Sequence, residues 1–368
     1  MRFLLDEAQR DFDRSLDRML DAAGTPGTVR AWAEGEHAAG RALWGRLAEA
    51  GVFALAVPEA YGGAGVLPVE LAVAFVQLGR HVVPGPVVET VAAGVLLGCL
   101  ADVPGGATGP AKDWLPGIAS GRTMATLCVG PRRGTVGSDS GGQGGGGFGG
   151  GPYALDADRA DAVFAVGGDA SDTLRLTPPH AGVRQGAGVQ PSFDPARRLA
   201  LPRPGGELLA SGPAVRQAAG RAAEWAAFAT AAQALGTGLA LVERTVAYVK
   251  QRTQFGLPIG SFQAVKHQLA DVLLGLEFAR PLLYGAAVAL AGGAAGGGVS
   301  AGSAGAQVAA AKAAAADAAY AASRTALQLH GAIGYTAEYD LSLWIGKARA
   351  LRTAWGSPAQ CRALVLSG

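Results

Sequence analysis

Three long runs dominated by Ala and Leu fill the second half of this sequence, and they leave few folds open. Residues 214–249 are Ala-rich, lack Pro, and carry Leu235, Leu239 and Leu241. Residues 262–291 set Phe262, Val265, Leu269, Val272, Leu273 and Leu276 on one helical face, and residues 306–329 return to Ala. Ala is the best helix former, and its small side chain lets helix axes approach closely. With a further helical run at 341–352, the spacing predicts a tightly packed bundle, interrupted by the Gly-rich stretch between Gly292 and Gly305.

The first third is helical as well. Leu5, Ala8, Phe12, Leu16, Met19 and Leu20 repeat at three and four, as do Trp44, Leu47 and Ala48. Val57 to Gly63 forms a turn, because Pro58 fixes φ and paired Gly permits positive φ. Helices follow over 68–80 and 87–100. Between about 122 and 212 the texture changes to short strand-like runs at 124–129, 162–166 and 174–176, separated by Gly, Pro, Asp and Ser. Nine Gly in the eleven positions 141–151, with no Lys-Ser/Thr and no helix after them, indicate a surface insertion rather than a phosphate loop. The expected organisation is therefore mainly α with a middle β domain: helices over 1–121, β structure over 122–212, a helical bundle over 213–368. No βαβ alternation exists, which argues against a doubly wound nucleotide fold.

Charge excludes some functions. Lys and Arg number 31 against 29 Asp and Glu, a net +2. That balance offers no electrostatic grip on nucleic acid or an anionic membrane. Cys99, Cys128 and Cys361 are scattered, and the five His never fall at metal-ligand spacing, so neither a disulfide framework nor a metal site is expected. Acidic residues Asp6, Glu7, Asp11 and Asp13 precede any apolar run, so no export signal is expected. The uncharged stretch 281–311 is too Gly-rich for a membrane span, and the expected location is the cytoplasm.

Two segments carry chemistry beyond scaffold. At 248–263 a helix ends and turns through Gly256 and Pro258, leaving Arg252, Gln254 and Phe255 at its terminus. A cation, an amide and a ring suit a ligand with phosphates and a flat heterocycle, although a helix end answering its own dipole also explains them. At 326–339, Gly331 and Gly334 expose backbone N–H groups; a helix stop followed by a turn accounts for them equally.

Together with Ala54 to Glu59, Tyr61-Gly62-Gly63, Arg252 to Gly256, Gly260 to His267 with Ala270-Asp271, and Gln328 to Tyr335, these segments make most of the chain resemble the acyl-CoA dehydrogenase family. The resemblance implies an N-terminal helical domain, a middle β domain and a C-terminal four-helix bundle. It implies FAD between the β domain and the bundle, with Arg252, Gln254 and Phe255 reaching the flavin dinucleotide of an adjacent protomer. Gln328, Gly331 and Gly334 would approach its adenosine diphosphate end. The implied reaction removes the α-proton of an acyl thioester, on CoA or a carrier protein, with β-hydride transfer to flavin. The implied assembly is a homo-oligomer or a hetero-oligomer with a related subunit.

Against that family pattern the proton acceptor is missing. The place before a Gly near the C-terminus, where many members carry the base, holds Trp355, and the alternative place on the first bundle helix falls at Ala226. The nearest carboxylate is Glu224, whose direction differs by about 200° along a helix. In the β domain, Leu127 to Arg133 replaces a Thr-Glu-Pro-like segment, and only Gly137-Ser138-Asp139 is similar to the usual Ala-Gly-Ser-Asp. Gly346 stands where a second basic residue is frequent, and Gly356-Ser357-Pro358 is similar to the ends of heteromeric members. Three readings stay open: an enzyme with a relocated base, with Glu224 as its candidate; a subunit whose partner supplies the carboxylate; and a flavin-free scaffold or carrier-binding module.

Overall fold

The computed structural model describes residues 4–130, 148, 153–167, 172–177, 188–294 and 301–367. Helices α1 (Glu7–Ala22), α2 (Thr25–Glu34) and α3 (Ala38–Glu49) open the chain. A two-stranded hairpin, β1 (Ala56–Val57) with β2 (Gly65–Val66), leads into α4 (Pro68–Arg80), α5 (Val87–Asp102) and α6 (Gly109–Ala119). A capping box starts α1: the Asp6 carboxylate accepts from the Gln9 backbone N–H, and Gln9 returns the bond. Helices α1, α3, α4 and α5 fall on the segments expected from the sequence; α2 and α6 do not, being short, with Pro26 and Pro110 in their first turns and Pro116 inside α6.

Two small sheets follow. In the first, β3 (Ala125–Val129) runs parallel to β5 (Ala162–Val166), which pairs antiparallel with β6 (Thr173–Thr177), and β6 with β9 (Glu207–Ser211). In the second, β8 (Leu199–Ala200) lies between β4 (Ala154–Leu155) and β7 (Val189–Gln190). The N-terminal helices are tied to this region by polar bonds. The Trp32 indole donates to Asp156 Oδ1 at 3.0 Å, and Arg41 grips Asp161 at 2.8 and 3.0 Å. The Gly-rich run and Gly137-Ser138-Asp139 lie outside the described residues, except Phe148.

The remainder is helical: α7 (Pro213–Gln251), α8 (Gln263–Ala294), α9 (Ala301–His330), α10 (Leu341–Leu351) and α11 (Pro358–Ser367). Helix continues further into the Gly-rich stretch than expected from either side, since Ala neighbours offset the propensity cost of each Gly. The short α11 goes unread in the sequence. Helix α7 is the axis of the fold, packed by α4, α5, α8, α9 and α10. Its small residues permit this. A Cβ on Gly236 would stand 1.9 Å from the Val76 carbonyl, and one on Gly79 would stand 2.0 Å from the Gln233 carbonyl. Both α7 and α8 are long and apolar enough to span a membrane by length and composition, yet the most apolar window of α7 is wholly buried in protein.

Of the apolar set expected on one face of α8, Val272 and Leu276 are buried and Val265 and Leu269 half-buried, while Phe262 and Leu273 are exposed; Leu274, Phe278 and Leu282, outside that set, also face outward. The helix is apolar on two sides, which one-face periodicity does not distinguish.

Candidate functional site

Helix α7 stops at Arg252, whose backbone N–H closes on the Tyr248 carbonyl. The chain then makes the hairpin β10 (Thr253–Gln254) with β11 (Leu257–Pro258). Its two-residue turn is Phe255-Gly256, with φ of +55° and +77°. That is the left-handed pair that matches strand twist, and Phe255 accepts about 1–2 kcal/mol of strain to hold it. The turn presents the Phe255 ring to solvent, 91% exposed. Arg252 is exposed and makes no ion pair with another described residue; the Gln254 side-chain amide donates to the Thr253 carbonyl.

The second motif lies beside the first. Tyr248 stacks on His330 with ring centroids 4.0 Å apart, so the C-terminal ends of α7 and α9 abut. Past His330, Gly331 takes φ +65° and ends α9, Gln328 and Gly331 are exposed, and Gly334 is buried against Leu327 and His330. The structure thus gathers Arg252, Gln254, Phe255, Gln328 and Gly331 at one end of the bundle. The exposed apolar residues Leu257, Ile333 and Tyr335 accompany them.

A separate cavity lies between the β region and the bundle. One part, about 150 Å3, is lined by Glu89, Tyr153, Leu155, Arg197, Leu199, Thr353 and Trp355. A smaller part, about 20 Å3, continues among α5, α7 and α10 past Thr230, Gln233 and Lys347. Trp355 is buried with φ +54°, and its Nε1–H donates to Glu89 Oε1 at 3.0 Å. Glu89 is nearly fully buried; an Arg197 guanidinium nitrogen lies 4.0 Å from Oε1, and Oε2 accepts no hydrogen bond among the described residues. The Thr90 hydroxyl donates to the Ala125 carbonyl, fixing this turn of α5 on β3.

The segment between β7 and β8 forms one wall. Its Asp194 carboxylate caps the Ala196 N–H and lies 3.5 Å from Lys347 Nζ, which donates to the Val83 carbonyl at 2.9 Å. A Cβ on Gly346 would stand 2.5 Å from the Phe193 carbonyl. Close backbone approach therefore explains the Gly that stands where the family pattern has a basic residue.

Glu224 lines neither part of this cavity. It pairs with Arg221 at 3.1 Å and faces Gly305 at the start of α9. Burial raises its pKa, an effect the Arg221 guanidinium opposes. Ala226 is buried in the bundle. Glu89 and Arg197 escaped the sequence reading. A signal existed for Glu89, the one charge in residues 87–101, because a buried carboxylate needs a donor.

Comparison with known proteins gives this arrangement a family. Residues 6–122 match the acyl-CoA dehydrogenase N-terminal domain, and residues 214–366 match the C-terminal domain. Acyl-CoA dehydrogenase IpdE2 of Mycobacterium tuberculosis is 31% identical over 91% of this chain and 89% of its own length. The chain belongs to the acyl-CoA dehydrogenase family. An IpdE2 from Mycolicibacterium smegmatis is 28% identical over 93% of the chain and 92% of its own length. Among solved structures, the ChsE4-ChsE5 complex of Mycobacterium tuberculosis is similar at TM-score 0.76 and 25% identity, covering 99% of this chain and 98% of that one. The Tcur3481-Tcur3483 steroid acyl-CoA dehydrogenase variant is similar at 0.77 and 25%, covering 98% and 97%. Butyryl-CoA dehydrogenase of Megasphaera elsdenii shares the fold at 0.77 and 20%, covering 100% and 99%.

Members of this acyl-CoA dehydrogenase family are FAD flavoproteins, and the bundle end suits that group. An exposed guanidinium, a ring touched only at its edge by Phe262 among the described rings, and a left-handed Gly at a helix end are groups of the kind that suit phosphates and a heterocycle. The cavity beside Trp355 differs. At about 150 Å3 it is well under the roughly 300–1,000 Å3 of small-molecule pockets.

Proposed function

We propose that this chain is a subunit of an FAD-dependent acyl-CoA dehydrogenase in which a related partner supplies the catalytic carboxylate. Arg252, Gln254, Phe255, Gln328 and Gly331 serve the dinucleotide of that partner, while Gly334, buried against Leu327 and His330, shapes the turn that carries Gly331. Arg252 would balance phosphate charge, Phe255 would cover an apolar face, and the Gly331 N–H would bond a phosphate oxygen. Bound FAD supplies the hydride acceptor for α,β-dehydrogenation of an acyl thioester, carried by CoA or a carrier protein.

The observation that carries this reading is the pairing of an outward-facing bundle end with a Trp at the base position. The ligand-type residues of the bundle end reach away from their own cavity, and that cavity presents the Trp355 indole where a carboxylate belongs. The exposed Leu273, Leu274, Phe278 and Leu282 of α8 add an apolar face suited to another subunit. Both similar solved structures quoted at 25% identity are named as pairs of chains.

The test is a visible spectrum of the purified chain, alone and co-expressed with a related acyl-CoA dehydrogenase chain from its source. A colourless chain alone and a yellow, active mixed complex are expected. One FAD per chain in the isolated protein would overturn the partner model. A mixed complex without flavin would leave the scaffold reading.

A further inference from the structure

Trp355 does more than lack a carboxylate. Its side chain is 3% exposed and reaches from the turn after α10 to the first turn of α5, where the indole N–H meets Glu89. The turn is held from several directions. Lys312 Nζ donates to the Leu351 carbonyl at 3.0 Å and to the Arg352 carbonyl at 3.4 Å, just before it. Gly356, with φ +118°, packs under Phe148 and Cys361, just after it. Across the cavity, Arg197 donates to the Ala350 carbonyl at 3.3 Å, and Lys347 is fastened to Val83.

What space remains beside the indole is small. The part among α5, α7 and α10 is about 20 Å3, room for roughly one water. The part toward Tyr153, Leu199 and Thr353 is about 150 Å3 and carries a carboxylate and a guanidinium on its wall. An apolar chain too large for that space would have to displace the indole and leave the polar atoms of Glu89 and Arg197 facing methylenes, which is unfavourable.

We infer that Trp355, latched by Glu89, is a specificity-determining residue that closes this chain's own cavity to acyl chains. This deepens the proposed function, and it rests on that reading only for the class of ligand. Glu89 is a positioning residue here: it holds the indole across the gap and touches no substrate.

The experiment is calorimetric titration of the full chain with octanoyl-CoA, comparing wild type with W355G, W355F and W355G/E89L. Gly is suited to the left-handed backbone at this position and removes the plug, whereas Phe keeps the plug and loses only the N–H. Wild type and W355F should show no stoichiometric binding. W355G and, more strongly, W355G/E89L should gain one site at least about tenfold tighter than any wild-type binding. Stoichiometric binding by wild type, within about threefold of W355G, overturns the inference. So does an absence of binding in every variant. Should the Gly variants fail to fold, W355L opens the site in part, and behaviour identical to wild type in that variant also counts against it. The readout is thioester binding without flavin, so failure here is separate from failure of the flavin test above.

Discussion

The imidazole of His330 lies flat against the ring of Tyr248, 23° from parallel, and this one contact joins the two motifs at the bundle end. Its surroundings favour the neutral form of the ring. Nδ1–H donates to the Ala326 carbonyl at 2.8 Å, and Nε2 has no partner among the described residues. Burial lowers its pKa from 6.5, and the bond to Ala326 opposes this. A His with a lowered native pKa binds fewer protons folded than unfolded below 6.5. Its contribution is therefore fully present above that pH and is lost as pH falls. The difference in urea midpoint between wild type and H330N should narrow from neutral pH toward pH ~5. A difference that stays constant over that range removes His330 from this role.

Arg252→Ala tests the bundle end. The side chain is exposed, so unfolding should shift by less than about 0.5 kcal/mol. A charge-assisted bond to phosphate is worth about 1.5–3 kcal/mol, so FAD retention in the mixed complex should weaken by roughly 10- to 100-fold. Equilibrium dialysis of the complex against FAD measures it, and unchanged retention takes Arg252 out of the site.

The bond between Trp355 and Glu89 has its own energetic signature. W355F leaves the Glu89 carboxylate with Arg197 at 4.0 Å as its nearest charged partner and should cost about 1.5–3 kcal/mol by urea unfolding. E89L alone orphans the indole N–H, while W355F/E89L removes donor and acceptor together. The double variant should therefore lose less than the sum of the singles, by about 1 kcal/mol or more. Additive losses would show that the two side chains do not act as a pair.

Much of this was legible in the sequence because it rests on local pattern. Residues 68–80 and 162–166 were read at the bounds of α4 and β5, since Pro68 and flanking turn residues punctuate them. The bundle-end residues were named for a similar reason: each motif is contiguous, although the Tyr248–His330 stack that joins the motifs pairs residues on two helices far apart in the chain. Glu89, Arg197 and Trp355 come from three distant segments, and no periodicity predicts their meeting. The outward face of α8 was hidden because apolar spacing does not say which of two apolar sides is covered.

Lys312 gives a pH dependence of the same origin in a more alkaline range. It is fully buried, and burial pushes its pKa from 10.5 down to about 8. Below about 8 the amine is charged in both states, and the cost of burying that charge is present in full. Between about 8 and 10.5 the unfolded chain binds more protons, so this group adds stability as pH rises. K312M has no such gain, and it leaves the carbonyls of Leu351 and Arg352 without their donor. Wild type should therefore gain on K312M between about pH 8 and pH 9.5 in urea midpoint. A difference that stays flat there would place the amine in a wetter setting.

Two Gly of α7 should respond in opposite ways to the same added methyl. At Gly236 the new Cβ would lie 1.9 Å from the Val76 carbonyl and 3.0 Å from the Arg80 nitrogen, both backbone atoms of α4. Neither can move without parting two helices, so G236A should cost about 3 kcal/mol. At Gly220, exposed on the same helix, the Cβ meets nothing within 4 Å. There G220A gains only helix propensity, about 0.5–1 kcal/mol. Thermal unfolding of both variants checks the pair. If G236A were as stable as G220A, α4 and α7 could not cross with their backbones in contact, and the α5 turn that carries Glu89 would lose the frame that sets it against Trp355.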